Sequence, residues 1–175
     1  SNSTKVATKW ALINVLTGIV LMYVFQFANV GIISPVRYVS YLPFIAFLFL
    51  AQKEFKDQLG GYMKFGEGFG VGLRYGIFSG LLLGVFIWLY YSMLSPDMYT
   101  KMLEAQREAM EAKGMSADQV DQGMKFMNKM GLVFVAFGAA VGSAVVAIIL
   151  GLIGAAIFKK ERSAFDQEPP ADPAV

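Results

Sequence analysis

Five polar side chains that lie near or within the apolar stretches of this sequence are the residues best suited to chemistry inside a bilayer. They are Asn14, Gln26, Arg37, Glu67 and Arg74. A charge near the bilayer centre is costly, so it is retained with a partner, with water or with a route to the interface. Glu67 and Arg74 are seven residues apart, which places them on one helix face about 10 Å from each other.

Two interpretations of Arg74 stay open. Its long side chain can reach the nearby interface, or it can form a buried site for an anion or a proton together with Glu67. Arg37 lies close enough to a helix end to reach the interface as well. Asn14 and Gln26 are expected to form hydrogen bonds between helices, which is the usual role of amides in spans.

The composition indicates a membrane protein and removes several classes of activity. Hydrophobic residues make up 56% of the 175 residues and charged residues 16%, unlike the average soluble domain. Cysteine and histidine are absent from the sequence, which removes thiolate metal sites and the usual proton shuttle at neutral pH. We therefore expect no enzyme activity, no metal and no cofactor. The net charge of +2 is too small for a nucleic-acid binder.

Four apolar stretches are long enough to cross a bilayer as helices, because about 20 helical residues span its hydrocarbon core. They cover approximately residues 10–30, 35–52, 68–93 and 131–158. A polar loop is expected at 53–64, and the proline-containing tail, 164–175, is expected to be disordered. The sequence thus predicts an all-α integral membrane protein with four transmembrane helices in a single membrane domain, 1–175.

Residues 97–130, between the third and fourth stretches, are predicted to form an amphipathic helical hairpin outside the membrane. Gly114 ends its first helix, and Ser116 with Gln119 forms a capping box that starts the second. Most methionines of the chain lie between Met93 and Met130. Thioethers can bind copper(I), but Met is more often a filler of apolar faces and partner grooves. We therefore expect a protein partner at this Met-rich hairpin.

Small residues recur every four positions in the last two apolar stretches. The third stretch carries Gly68, Gly72, Gly76, Gly80 and Gly84, and the fourth carries Ala139, Ser143, Ala147, Gly151 and Ala155. Such rows, which resemble a glycine zipper, let helix backbones approach closely in lipid. The contact can lie within one chain or between two copies, and we expect a homo-oligomer. A pore along the row is disfavoured because no polar group interrupts the glycines.

Basic residues are more numerous on the side that carries both termini than on the hairpin side. Positive residues are retained in the cytoplasm. The sequence therefore predicts cytoplasmic N- and C-termini and an extracytoplasmic hairpin.

Four short runs resemble a bacterial family. They are Gly60–Phe69, Ser95-Pro96, Gly114-Met115-Ser116 and Ala156–Glu161. Over nearly its whole length the chain is similar to the family catalogued as domain of unknown function 4199. The resemblance implies a small helical protein of a bacterial inner (cytoplasmic) membrane, with no assigned activity and no catalytic residues.

The sequence favours a non-enzymatic membrane protein that acts through contacts with lipids or proteins, as an interaction or scaffold component. The alternative is a small transporter or channel component for an ion or an anionic small molecule. That alternative rests on Glu67, Arg74 and Arg37, which lie near or within spans.

Overall fold

The computed structural model describes residues 2–163 and residue 165, and every named element in that part of the chain is a helix. They are α1 (Asn2–Phe27), a 3₁₀ helix (Pro35–Ser40), α2 (Tyr41–Gln58), α3 (Phe65–Leu89), a π-helical turn (Tyr90–Leu94), α4 (Pro96–Ala112) and α5 (Ala117–Phe158). The tail predicted to be disordered lies outside the described residues, apart from Phe165.

Four helical segments are long and apolar enough to cross a membrane: α1, the 3₁₀ helix with α2, α3 with the π-helical turn, and α5. Their outward surfaces are apolar. On α1, for example, Leu12, Leu16 and Val20 are 48%, 63% and 60% exposed. Rows of exposed large apolar side chains on four long helices are typical of contact with lipid. The prediction of an all-α integral membrane protein with four candidate spans is confirmed.

Helix α3 is the central helix of the bundle, and it packs against α1, α2 and α5. The core includes Ala7 and Ala11 of α1, Leu48 of α2, and Val71 and Tyr75 of α3. The Tyr75 hydroxyl donates a hydrogen bond of 2.8 Å to the carbonyl oxygen of Phe44. In lipid, close packing and such hydrogen bonds hold helices together, because surrounding acyl chains are as apolar as the core.

One end of the bundle, here called the terminal end, contains the start of α1, the loop between α2 and α3, and the end of α5. Met63 in that loop and Lys160 after α5 form an antiparallel bridge. Met63 N donates to Lys160 O at 2.9 Å, and Lys160 N donates to Met63 O at 2.8 Å. The bridge joins the beginning of α3 to the end of α5.

Helix α2 is longer than the apolar pattern predicted, since it continues through the polar residues from Lys53 to Gln58. Lysine, glutamate and glutamine favour helix, and an ion pair of 3.1 Å between Lys53 and Asp57 supports the last turns. The expected polar loop is therefore reduced to residues 59–64. Gly60 and Gly61 in that loop have φ angles of 82° and 89°, which glycine adopts at little cost.

The opposite end, here called the hairpin end, contains the π-helical turn, α4 and the first part of α5. Gly114 follows α4 with a φ of 77°, and the predicted capping box is confirmed: Gln119 N donates to Ser116 Oγ at 3.3 Å. Helix α5 then changes direction at Gly131, where φ is 68°, and continues as the fourth candidate span.

Two contacts join α4 to this first part of α5. The Met110 sulfur packs over Gly123, and Arg107 forms an ion pair of 3.5 Å with Asp121. The apolar side chains of Met98, Met102 and Val120 are buried within the chain.

Candidate functional site

The glycine row of α3 packs directly against α5 of the same chain. A Cβ at Gly76 would overlap the Ala147 side chain, and a Cβ at Gly80 would lie 2.7 Å from the carbonyl oxygen of Ala140. No real side chain tolerates such approaches unless the neighbour moves. Glycine at these positions is therefore what allows the two backbones to meet.

The two helices run antiparallel, and each glycine of the row faces a small residue or backbone of α5. Gly68 faces Ala155, Gly72 faces Gly151, Gly76 faces Ala147, Gly80 faces Ala140 and Ser143, and Gly84 faces Ala136. Ala139, expected in this contact, instead lines a cavity elsewhere. A row in steps of four drifts about 40° around a helix per step. The contact on α5 therefore moves to Ala140, three residues from Ser143.

Gln52 of α2 joins three helices from inside the bundle, although no pattern in the sequence marks it as a site residue. Its side chain is fully buried, and Nε2 donates bonds of 3.0 Å to the carbonyl oxygens of Gly68 and Gly151. Among the described residues Oε1 has no hydrogen-bond partner, and it lies against Gly154, where any Cβ would overlap it. The amide thus fits a space that exists because Gly154 has no side chain.

A polar cluster at the terminal end joins α1 to α2. Lys9 forms an ion pair with Glu54, and Trp10 Nε1 donates a hydrogen bond of 2.6 Å to Glu54 Oε2. Lys9 also lies 5.2 Å from the centre of the Trp10 ring. Both carboxylate oxygens of Glu54 are therefore engaged with α1.

Glu67 and Arg74 are not brought together. Glu67 Oε1 accepts a hydrogen bond of 3.0 Å from Lys64 N, so this carboxylate caps the start of α3. Arg74 is exposed on the outer surface, and its Nη1 lies 3.0 Å from where a Cβ of Gly70 would be. Its side chain therefore runs toward the terminal end, in the direction in which helical side chains lean. Within the described residues the ion pairs involve neither group.

The other polar residues of the spans lie in separate places. Arg37 donates to the carbonyl oxygens of Gly31 at 2.9 Å and Val30 at 3.0 Å, which closes the loop after α1. Gln26 Oε1 accepts a bond of 2.7 Å from the Tyr90 hydroxyl, which connects α1 to the π-helical turn.

Asn14 lines a cavity of about 310 Å³ between the helices. Its wall also contains Tyr41 of α2, Leu83 of α3, and Gly138 and Ser143 of α5. Most of this wall is apolar, with a few hydroxyl and amide groups. Such a lining suits an apolar group that carries one polar end.

A larger cleft of about 670 Å³ opens at the terminal end. We call it the basic cleft; it is lined by Leu59, Tyr62, Met63, Lys64, Glu67, Lys160, Glu161 and Arg162. Lys160 Nζ and Arg162 Cζ lie 5.2 Å and 5.0 Å from the centre of the Tyr62 ring. The aromatic ring thus holds two cations close to each other. The residues of the basic cleft could have been found from the sequence, because Tyr62 and the closing Lys-Lys-Glu-Arg run both flank spans.

These features define a polytopic α-helical membrane protein with a tightly packed α3–α5 pair, scattered intramembrane polar groups and a basic cleft at one end. The chain belongs to the family described as Protein of unknown function (DUF4199), whose model matches residues 9–160. The family resemblance seen in the sequence is thereby confirmed. Neither the curated proteins nor the solved structures contain a match to this chain.

Proposed function

We propose that the chain is a non-enzymatic component of the bacterial cytoplasmic membrane that acts through contacts with lipids and with other proteins. One observation carries the proposal: in the described part of the chain, no charged residue lines the cavity between the helices. Arg74 runs along the outer surface toward the terminal end, and Glu67 caps α3. A pathway for an ion or an anionic small molecule requires charged groups around one continuous path. Separate charges at the surface suit contact with headgroups and partners instead.

The proposed orientation has both termini in the cytoplasm and α4 with the first part of α5 outside. The excess of basic residues at the terminal end supports it. At the hairpin end, Met98 and Met102 are only 7% and 8% exposed, whereas Phe126 and Met130 are 54% and 41% exposed. A protein partner is therefore expected to contact α5 near its bend at Gly131 and not the inner face of α4.

The proposal includes a homo-oligomer, but through a different surface from the glycine row. That row is occupied by α5 of the same chain. Gly138 and Gly142 of α5 are also four residues apart, and in the described part of the chain a Cβ added at either would meet no neighbouring element within 4 Å. Both glycines are exposed at the open side of the cavity lined by Asn14. A helix of a second copy would lie along this side of α5, since small residues permit close helix approach.

Photo-crosslinking in native membranes tests the partner surface. A photoreactive residue at Phe126 or Met130 should give discrete protein adducts, either a dimer of the chain or one larger species. The matched control is the exposed Glu108 on α4, which should give none. Lipid adducts alone at all three positions, together with monomeric behaviour in native lipid, would contradict the proposal.

A transporter remains the second candidate, because the cavity lined by Asn14 lies between the spans. Its test is flux of small anions and cations into liposomes that contain the purified chain. Flux that disappears with Arg74→Ala or Asn14→Leu, while both variants stay folded, would favour transport and overturn the scaffold proposal.

A further inference from the structure

The basic cleft is placed where lipid phosphates lie. Lys64 immediately precedes α3, and Lys159 and Lys160 follow the end of α5. Two apolar spans therefore end at the cleft, and its mouth is at the level of the headgroups. We propose that this cleft binds the phosphate of an anionic phospholipid. The inference rests on the proposed function and names one ligand class for its lipid contacts.

The charges of the cleft suit a phosphate diester. Lys64, Lys160 and Arg162 contribute three cations against the carboxylates of Glu67 and Glu161, and none of the three cations takes part in an ion pair of the described residues. Of the two carboxylates in the lining, Glu67 is engaged with the Lys64 main-chain N–H. A guanidinium can bind two phosphate oxygens at once, and ammonium groups add charge around them.

Contacts within the chain fix the shape of the cleft independently of a ligand. The main-chain bridge between Met63 and Lys160 fixes both walls, and the Met63 side chain is 1% exposed beneath the cleft. Tyr62 holds the side chains of Lys160 and Arg162 over its ring. A site whose cations are already positioned loses less conformational entropy on binding.

Arg74 favours a lipid over free phosphate as the ligand. It is on the same face of α3 as Glu67, about 10 Å deeper, and its guanidinium lies beside Gly70 on the outer surface. This additional cation, below the three in the cleft and along an apolar helix surface, suits a phosphate whose ligand continues along that surface as acyl chains. A soluble phosphate would gain nothing from that position.

The test measures which lipid stays with the purified full-length chain. The chain is reconstituted in equal amounts of phosphatidylglycerol and phosphatidylcholine, extracted in mild detergent and examined by native mass spectrometry. We expect selective retention of phosphatidylglycerol. Lys160→Gln with Arg162→Gln should lower that selectivity about twenty-fivefold, because each basic residue near an anionic lipid contributes roughly fivefold. The main-chain bridge of residue 160 is unaffected by this change.

The control variant removes two positive charges at the terminal end of the bundle but outside the cleft, by Lys5→Gln with Lys56→Gln. It should retain the lipid as the wild type does. A second cleft variant, Tyr62→Leu, keeps every charge but removes the ring under Lys160 and Arg162, and it should lower selectivity several-fold. Thermal unfolding of each variant checks that the fold is kept.

Two results would overturn the inference. Equal losses in the cleft and control variants would indicate diffuse attraction to basic residues, and unchanged retention in the cleft variants would exclude a role for the cleft. An excess of inorganic phosphate that displaces the lipid and binds with similar affinity would identify a soluble phosphate as the ligand and also contradict it. The crosslinking at Phe126 and Met130 is unaffected by these outcomes, so the broader function can stand or fall separately.

Discussion

Two glycine pairs with the same spacing have opposite surroundings in this molecule. Gly76 and Gly80 of α3 lie so close to α5 that an added Cβ would meet Ala147 or the Ala140 carbonyl oxygen. Gly138 and Gly142 of α5 would place a Cβ in open space within the described part of the chain. The spacing of glycines therefore indicates where a helix contact can form, and the residues opposite decide whether the contact exists.

The comparison also distinguishes two sides of α5. Every glycine of the α3 row is matched by a small residue or backbone of α5, so van der Waals contacts continue along the whole helix. On α5, the side that contains Gly138 and Gly142 borders the cavity lined by Asn14. A tight backbone contact and an unfilled space thus lie on two sides of one helix.

The largest effect is expected from Gly76→Leu. The new side chain cannot fit beside Ala147, so α3 and α5 must separate. We expect a loss of at least about 3 kcal/mol in the free energy of unfolding, at the upper end of overpacking costs. Unfolding in mixed detergent micelles, followed by circular dichroism, measures it. A variant as stable as the wild type would disprove the backbone contact.

A smaller side chain at Gly76 allows the lost stability to be restored by a second substitution on α5. Gly76→Ala should cost about 2 kcal/mol because its Cβ overlaps that of Ala147. Adding Ala147→Gly should restore most of the stability, since the space removed on one helix is returned on the other. Gly76→Ala paired with Ala139→Gly, which lies away from the contact, is the matched control and should give no rescue. Additive losses in the first pair would indicate that the two residues do not touch.

The next largest loss of stability is expected when the Gln52 side chain is displaced. Gly154→Ala forces the Gln52 amide from its space and should cost about 1 kcal/mol, close to the value of an interhelical hydrogen bond in a membrane. Gln52→Ala removes the side-chain atoms that crowd Gly154. It should cost at least as much but make the bundle less sensitive to Gly154→Ala, with the Phe49 ring as the remaining close neighbour. Detergent unfolding of the two single variants and the double variant checks this coupling. Independent losses at the two positions would contradict the described geometry.

The smallest effect is expected from Gly138→Ala and Gly142→Ala. Their side chains point into open space, and alanine favours helix over glycine. The monomer should unfold within about 0.5 kcal/mol of the wild type or slightly above it. Analytical ultracentrifugation of the same variants tests the second-copy surface, since added methyl groups should weaken dimers. A large loss of monomer stability would mean that this side of α5 packs within the chain.

The sequence was sufficient to predict the four long apolar helices and the residues that cap helices at the hairpin end, because length, hydropathy and capping are local properties. The Ser116 capping box and the Gly114 turn were predicted and are confirmed. The partner of the glycine row could not be predicted, since a row of glycines looks the same whether it faces its own chain or another. Gln52 was missed because an amide near the end of an apolar stretch is typical of a span boundary.

The partners of the polar residues were harder to predict than the helices, for a geometric reason. A seven-residue spacing places Glu67 and Arg74 on one face, but it leaves them too far apart to pair without a third group. Which partner each finds depends on local alternatives. Glu67 finds the N–H of Lys64, and Arg74 finds the space left by Gly70.

The pairing of α3 with α5 also sets an order of assembly during synthesis. Gly84 is made long before Ala136, its neighbour in the finished bundle. Translation adds about 5–20 residues per second. The glycine row of α3 is therefore without α5 of its own chain for several seconds. Throughout that interval a neighbouring nascent chain could offer the same small-residue surface. Correct assembly therefore depends on how quickly the ribosome completes the last helix.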